Sequence, residues 1–204
     1  MYPFKKITLS YQMNGLEPHI DTRTMQMHYE RFYGTYVDNL NKHLEGRIPT
    51  PDVSLEDILK TTDGQEPQFD PETRAMASAV FNHEFFFSSM RPSSRQIVIG
   101  LSGKLIQAIN RDFGSFYEMQ AKFINATTSI VGSGFVWLCQ YPNKKLAIVP
   151  TTNNETPLTM GLKPLLCLDV WEHAYVLKYM ENKEAYAREF FSVIDWVKVG
   201  DRLN

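Results

Sequence analysis

Three histidines and one aspartate sit where neither solvation nor packing requires them. His28 and His83 each fall in the middle of a predicted helix, on a stripe of aromatic and apolar residues. Asp169 ends an apolar run, and His173 follows four residues later within Asp169-Val170-Trp171-Glu172-His173-Ala174-Tyr175. Neutral imidazole nitrogens and a carboxylate oxygen suit Zn, Mn or Fe, and no thiolate belongs to the set. Three nitrogens and one oxygen leave a position for solvent or substrate. That is the arrangement of redox or Lewis-acid chemistry rather than of a closed structural site. Taken singly, each residue has a plainer explanation, since a histidine on an apolar helical face is usually a hydrogen-bonded core residue. His19 and His43 flank a helix and are expected to stay outside the set.

The elements that must position these groups follow from periodicity. A helix is expected from about Asp21, its N-cap, to Leu44, with Met25, His28, Phe32, Tyr36 and Leu40 on one face. Gly46 and Pro49 stop it, and Ser54 with Asp57 caps a short second helix. A loop is expected from Thr61 to Phe69. Asp70-Pro71 then opens a helix that runs to about Met90, with Met76, Val80, His83 and Phe87 on one stripe. Arg91-Pro92-Ser93-Ser94 breaks the pattern, which divides the chain into domains 1–92 and 93–204. Helices fit 103–113 and 116–127, with Ser115 and Glu118 as a capping box. Gly134 to Tyr141 and Leu146 to Thr152 read as a hairpin, Pro164 to Asp169 as a third strand, and Glu172 to Val199 as helical. The fold class is therefore α+β, with an all-helical N-terminal half.

Composition narrows the function classes. The chain has 204 residues, 43% hydrophobic and 22% charged, which argues against disorder. A net charge of −2 excludes a strongly basic nucleic-acid binder and supplies no polybasic membrane patch. No apolar run approaches the roughly 18 residues of a membrane span. Met1 to Met13 contains no apolar stretch of the kind a secretory signal needs. Cys139 and Cys167 form no framework, so a reduced cytoplasmic setting is expected.

Several segments resemble the iron/manganese superoxide dismutases, over about Leu16 to Trp196. They are Leu16-Glu17-Pro18-His19-Ile20-Asp21, His28 with Thr35-Tyr36-Val37, Asn82-His83, Arg111 through Phe116, Gly132-Ser133-Gly134 and, most specifically, Asp169 through Tyr175. The resemblance implies an N-terminal antiparallel helical hairpin packed on a C-terminal domain with a three-stranded antiparallel sheet and helices. It implies His28, His83, Asp169 and His173 as ligands of one Fe or Mn ion per subunit. It also implies superoxide, a small anion, as substrate and a homodimer as the assembly. By position, Tyr36 matches a gateway tyrosine and Trp171 walls the metal pocket. Glu172 matches the residue that bonds a ligand histidine of the partner subunit, which puts Glu172 and His173 at the interface.

The sequence departs from the family pattern at named places. A glutamine usually tunes the metal-bound solvent, from either of two positions, occupied here by Ala79 and Asn154. Asn154 keeps the amide with one methylene less reach. It bonds the solvent through a backbone shift or a bridging water, or it leaves the potential to be set differently. Phe32 and Val176 replace a His–Tyr pair that spans the family's dimer, a double exchange that strands no polar partner. Tyr33 stands where a His is common and Phe135 for a pocket Trp. Arg31 and Lys183 keep positive charge along the substrate funnel, and Cys167 stands for a Gly or Thr. Tyr29 leans slightly toward iron-type members, but the glutamine and the residue at Cys167, the customary indicators, both depart from the pattern, so the metal is left as Fe or Mn. The alternative to an active dismutase is a dimeric metal-binding homologue with little or no dismutase activity.

Overall fold

A computed structural model describes residues 1–47, 52–60, 68–93 and 103–203. The expected stop at Pro49, most of the expected 61–69 loop and Ser94 lie outside these residues. Asp21 opens the first helix by accepting hydrogen bonds from Thr24 N at 2.9 Å and Thr24 Oγ1 at 2.6 Å. The helix begins as α1 (Thr22–Met25), winds as a π-helix over Gln26–Tyr33, and ends as α2 (Gly34–Leu44). This corrects the single regular stripe. A π turn bonds i to i+5, so the inward face advances five residues from His28 to Tyr33. The buried line becomes Met25, His28, Tyr29, Tyr33, Val37, Leu40 and Leu44. Phe32 is left 36% exposed, and Tyr36 is half-buried.

After the short α3 (Leu55–Leu59), the long α4 (Pro71–Ser88) packs antiparallel to this helix as the second arm of a hairpin. Asp70 caps it through Thr73 N at 2.9 Å, with Pro71 at the first position, where no N–H is needed. A reciprocal capping box forms at Ser54–Asp57. At Ser115 the hydroxyl accepts from Glu118 N at 3.1 Å and the carbonyl from Met119 N at 3.1 Å.

The second half contributes α5 (Gly103–Phe113), α6 (Phe116–Ser129) and a sheet of β1 (Gly134–Gln140), β2 (Leu146–Thr152) and β3 (Lys163–Asp169). Strand order is β2-β1-β3, antiparallel throughout. The central β1 is buried along its whole length, as its unbroken Gly-Phe-Val-Trp-Leu-Cys run requires. Pro150 lies in edge strand β2, and Pro164 lies in edge strand β3 beside the bulge at Leu138/Cys139. A proline without an N–H is tolerated at both kinds of place. The register sets Phe135 opposite Asp169, fixing the aspartate at the end of β3 beside the start of β1.

The expected continuous helix from Glu172 is broken. A 3₁₀ turn (Glu172–Ala174) precedes α7 (Val176–Tyr179), α8 (Lys183–Phe190) and α9 (Trp196–Asp201). Met180 turns out of α7 at φ 52°, and Asn182 and Asp195 start new helices by capping Ala185 N and Lys198 N. The core between the halves is strongly aromatic. Tyr33, Phe86, Phe87, Phe123, Trp137, Phe190 and Trp196 are all less than 2% exposed. Each such side chain contributes on the order of 1.5–3 kcal/mol by burial. Among the described residues, no helix is long and apolar enough to cross a membrane.

Candidate metal centre

Four segments converge: the π-helix brings His28, α4 brings His83, the end of β3 brings Asp169, and the following 3₁₀ turn brings His173. One ligand atom from each lies within 4.8 Å of the other three. Asp169 Oδ2 is 3.1 Å from His28 Nε2 and 3.4 Å from both His83 Nε2 and His173 Nε2. His83 and His173 present their Nε2 atoms to each other at 3.4 Å. All four residues are buried, His173 at 9% exposure and the rest at 0–1%.

The surroundings set which atoms face inward. His83 Nδ1–H donates to the Ala79 carbonyl at 2.7 Å, which leaves Nε2 as a bare lone pair. Asp169 Oδ1 accepts from Trp171 N at 2.8 Å, which aims Oδ2 at the imidazoles. Among the described residues, His28 Nε2 and Asp169 Oδ2 have no hydrogen-bond partner. A buried carboxylate oxygen facing three imidazole nitrogens without a proton between them is costly, and a cation among them removes that cost. The donor set of three borderline nitrogens and one hard oxygen fits iron or manganese.

Burial pushes His28 down to about 3 and His83 down to about 4. Burial drives the Asp169 carboxyl the other way, but the adjoining His173 and His28 outweigh it and hold Asp169 below the usual carboxylate range. The cluster thus presents an ionised aspartate to the neutral imidazoles of His28 and His83, the protonation state a metal needs. A pH dependence follows. Unfolded imidazoles titrate near 6.5. Between that value and about 4 the unfolded chain binds more protons than the folded one. The metal-free protein is therefore expected to hold this stability above pH 6.5 and lose it as pH falls toward 4, by roughly 3 kcal/mol per imidazole. Thermal unfolding of metal-free protein at successive pH values checks this, and a flat Tm from pH 7 to 4.5 contradicts it.

Aromatic rings wall the cluster. Phe86 and Phe87 lie 5.4 and 4.8 Å from the His28 ring, and Phe135 lies 5.8 Å from His83. Trp171 and Phe32 lie nearly parallel to His173, at 5.6 and 4.5 Å. Tyr36 sits 4.9 Å from His83, and burial, aided by the Asp169 charge, raises its hydroxyl so that it stays protonated. Trp171 Nε1 donates to the Asn153 carbonyl at 3.2 Å, tying the wall to the turn that carries Asn154. Asn154 Oδ1 is buried without a hydrogen-bond partner. Glu172 is exposed. Lys183 is tethered, its Nζ donating to Ile130 O at 2.8 Å and Gly132 O at 3.0 Å. Arg31 is exposed on the outer side of the π-helix.

The two other histidines are engaged elsewhere. His19 Nδ1 meets Glu189 Oε2 at 2.5 Å. His43 Nε2 lies 2.9 Å from Thr73 Oγ1. His43 also neighbours Asp70 and Glu72 at the start of α4, where both Asp70 oxygens are already bonded to Thr73. Sequence reasoning names Asn82 only as the neighbour of His83 and gives it no role; its Nδ2 donates to Asn154 O at 3.1 Å and Glu155 O at 3.2 Å. A polar residue directly before a buried histidine on an otherwise apolar stripe was the available signal.

A helical hairpin and a three-stranded sheet unit that close on a buried His₃Asp cluster define a metal-binding α+β protein. The chain belongs to the iron/manganese superoxide dismutase family. Residues 3–91 match the family's alpha-hairpin domain and residues 101–202 its C-terminal domain. It is 38% identical to a manganese superoxide dismutase of Acinetobacter baylyi, over 98% of this chain and 87% of that one. It is 36% identical to superoxide dismutase [Mn/Fe] 2 of Staphylococcus aureus, over 97% and 96%. It is 34% identical to a manganese superoxide dismutase of Thermus aquaticus, over 96% and 94%.

Proposed function

We propose that this protein is a superoxide dismutase that converts two superoxide ions and two protons into dioxygen and hydrogen peroxide. In this reading His28, His83, Asp169 and His173 hold one Fe or Mn ion per subunit, between a first unit of residues 1–92 and a second of 93–204. The observation that carries it is the convergence of four buried donors, two of which, His28 Nε2 and Asp169 Oδ2, have no hydrogen bond. A bound Fe or Mn ion would supply the one-electron couple, between its 3+ and 2+ states, that the two superoxide half-reactions require.

The chain's own groups do the rest. Asp169 adds one negative charge to three neutral donors, which favours the higher oxidation state more than four neutral donors would. Tyr36 keeps its phenolic proton beside His83, available to the half-reaction that consumes protons. Trp171 and Phe32 cover His173 and limit water at that side. Both cysteines are buried and unpaired, in keeping with a cytoplasmic setting.

The assembly is a homodimer in the same reading. Glu172, directly before the ligand candidate His173, is exposed. Glu172 is assigned to the partner subunit's His173, with Phe32 packing on Val176 across the two-fold axis. The exposed apolar side chains Phe32, Leu177 and Met180 support this. Equilibrium sedimentation at micromolar concentration is expected to give a dimer, and Glu172→Ala is expected to weaken it. A wild-type monomer under those conditions rules the interface out.

The activity is tested by following superoxide decay directly on two samples, one loaded only with Mn and one only with Fe. Fast decay with either supports the reading and assigns the metal. Spontaneous decay with both fully loaded samples replaces it with a dimeric metal-binding homologue of little or no dismutase activity.

A further inference from the structure

Three buried side-chain oxygens at the turn between β2 and β3 have no hydrogen-bond partner among the described residues: Asn82 Oδ1, Asn154 Oδ1 and Thr156 Oγ1. Asn82 and Thr156 are both 0% exposed. The Asn82 amide is not free to flip. Its Nδ2 faces two carbonyls, Asn154 O and Glu155 O, so Nδ2 must be the donor and Oδ1 is turned away from them. The neighbouring Thr159 hydroxyl is spent on the Thr156 carbonyl at 2.8 Å. Two of the three orphans are amide oxygens, which only accept, and the third is a hydroxyl with one proton to give. One hydroxyl proton cannot serve both amide oxygens, and no hydrogen bond joins the three. One water within reach of all three would satisfy them, donating to both amide oxygens and accepting from Thr156, and three hydrogen bonds are what a buried water usually makes.

The place matters because the turn is pinned to two ligand-bearing segments. Asn82 directly precedes His83 and holds the turn's backbone from α4. From the other side, Trp171 Nε1 holds Asn153 O while Trp171 N holds Asp169 Oδ1. We propose that Asn82, Asn154 and Thr156 bind a buried water, and that this water is the hydrogen-bonding neighbour of the metal centre on the Asn154 side. Thr156, remote in sequence from every ligand except through this turn, is thereby a positioning residue for the centre. Because a water can both donate and accept, it serves either protonation state of a neighbour, which a fixed side-chain amide does not. The second half of the proposal rests on the metal centre proposed above; the first half stands on the orphaned oxygens alone.

The test combines crystallography with spectroscopy on wild type, Thr156→Val and Thr156→Ser. Valine keeps the shape of threonine and removes the hydroxyl, whereas serine restores it. The wild-type crystal structure, metal-free or loaded, is expected to show one water within hydrogen-bond distance of all three oxygens. Thr156→Val is expected to lose or displace it, and Thr156→Ser to regain it. In the Mn- or Fe-loaded oxidised proteins, the visible absorption band is expected to shift in Thr156→Val and to return in Thr156→Ser. Absence of the water in wild type overturns the proposal. So does a Thr156→Val band that coincides with the wild-type band at equal metal content. Metal content is measured on the same samples, so a protein that binds neither Mn nor Fe is recognised as a failure of the metal centre. The electron density at the three oxygens then still decides whether the water is there.

Discussion

Asp169→Asn is expected to leave the protein folded and empty of metal. Asn fits the space of Asp, and Trp171 N still requires an acceptor at Oδ1, 2.8 Å away. That bond dictates the orientation of the new amide: its oxygen stays with Trp171 and its nitrogen takes the place of Oδ2. There it meets three imidazole nitrogens at 3.1–3.4 Å. Two N–H donors now point at lone pairs that previously faced a carboxylate, and they occupy the space an ion would take. The charge that attracts a cation is gone as well. Affinity for Mn or Fe should fall by more than the 10–100-fold typical of losing a hydrogen-bonding neighbour of a ligand. Superoxide should then decay at its spontaneous rate. Stability should change little. Metal-free wild type buries a carboxylate that His173 and His28 hold ionised, whereas metal-free Asp169→Asn buries a hydrogen-bonded amide in its place, so its Tm should stay close to that of metal-free wild type. Metal analysis with paired thermal unfolding checks both halves. Retained stoichiometric metal, or a large loss of metal-free stability, contradicts the assignment of Asp169.

The ligand residues were legible in the sequence for different reasons. His28 and His83 stood out because a histidine on an aromatic stripe is rare, and Asp169 with His173 because of the heptapeptide around them. What the sequence could not supply is the winding that aims His28. Gln-Met-His-Tyr-Glu-Arg-Phe-Tyr carries no signature of i to i+5 bonding, since the choice between π and α is made by tertiary contacts. Phe32 leaves the expected inward stripe for that reason. A regular helix would bury it, while the π-helix lays it over His173 at the surface. The breaks after Glu172 had a visible signal that the apolar content masked: Asn182 and Asp195 are good N-caps, and both serve as such. Arg202 had none. It reads as a tail residue, yet its guanidinium lies 3.9 Å from the Phe85 ring centre and donates to Ser88, Ser89 and the Leu165 carbonyl. It thereby clamps the chain's end against α4 and β3, the two elements that carry His83 and Asp169.

A single added methyl group is expected to do severe damage at Gly134. A Cβ built there would lie 2.2 Å from the Thr151 carbonyl oxygen and 3.3 Å from its carbon. Both are backbone atoms of the paired strand, which no rotamer change can move aside. Gly134 is also the first residue of β1, opposite Thr152, and its own carbonyl accepts from Val170 N at 2.9 Å. Relief of the clash must therefore push β2 away from β1 or push Gly134 toward Val170, the residue next to Asp169. Gly132, two residues earlier, provides the control. It has φ 78°, so alanine there is strained, but its Cβ would meet nothing within 4 Å. Gly132→Ala should cost about 1–2 kcal/mol, the penalty of a left-handed backbone for a residue with a side chain. Gly134→Ala should cost about 3 kcal/mol or more, at the upper end of overpacking. In a chain of this size that lowers Tm by roughly 6–12 °C. Because the strain is delivered beside Asp169, Gly134→Ala should also bind less metal per folded chain, while Gly132→Ala should not. Equal Tm losses for the two variants would mean that the β1–β2 pairing yields where the close approach at Thr151 says it cannot.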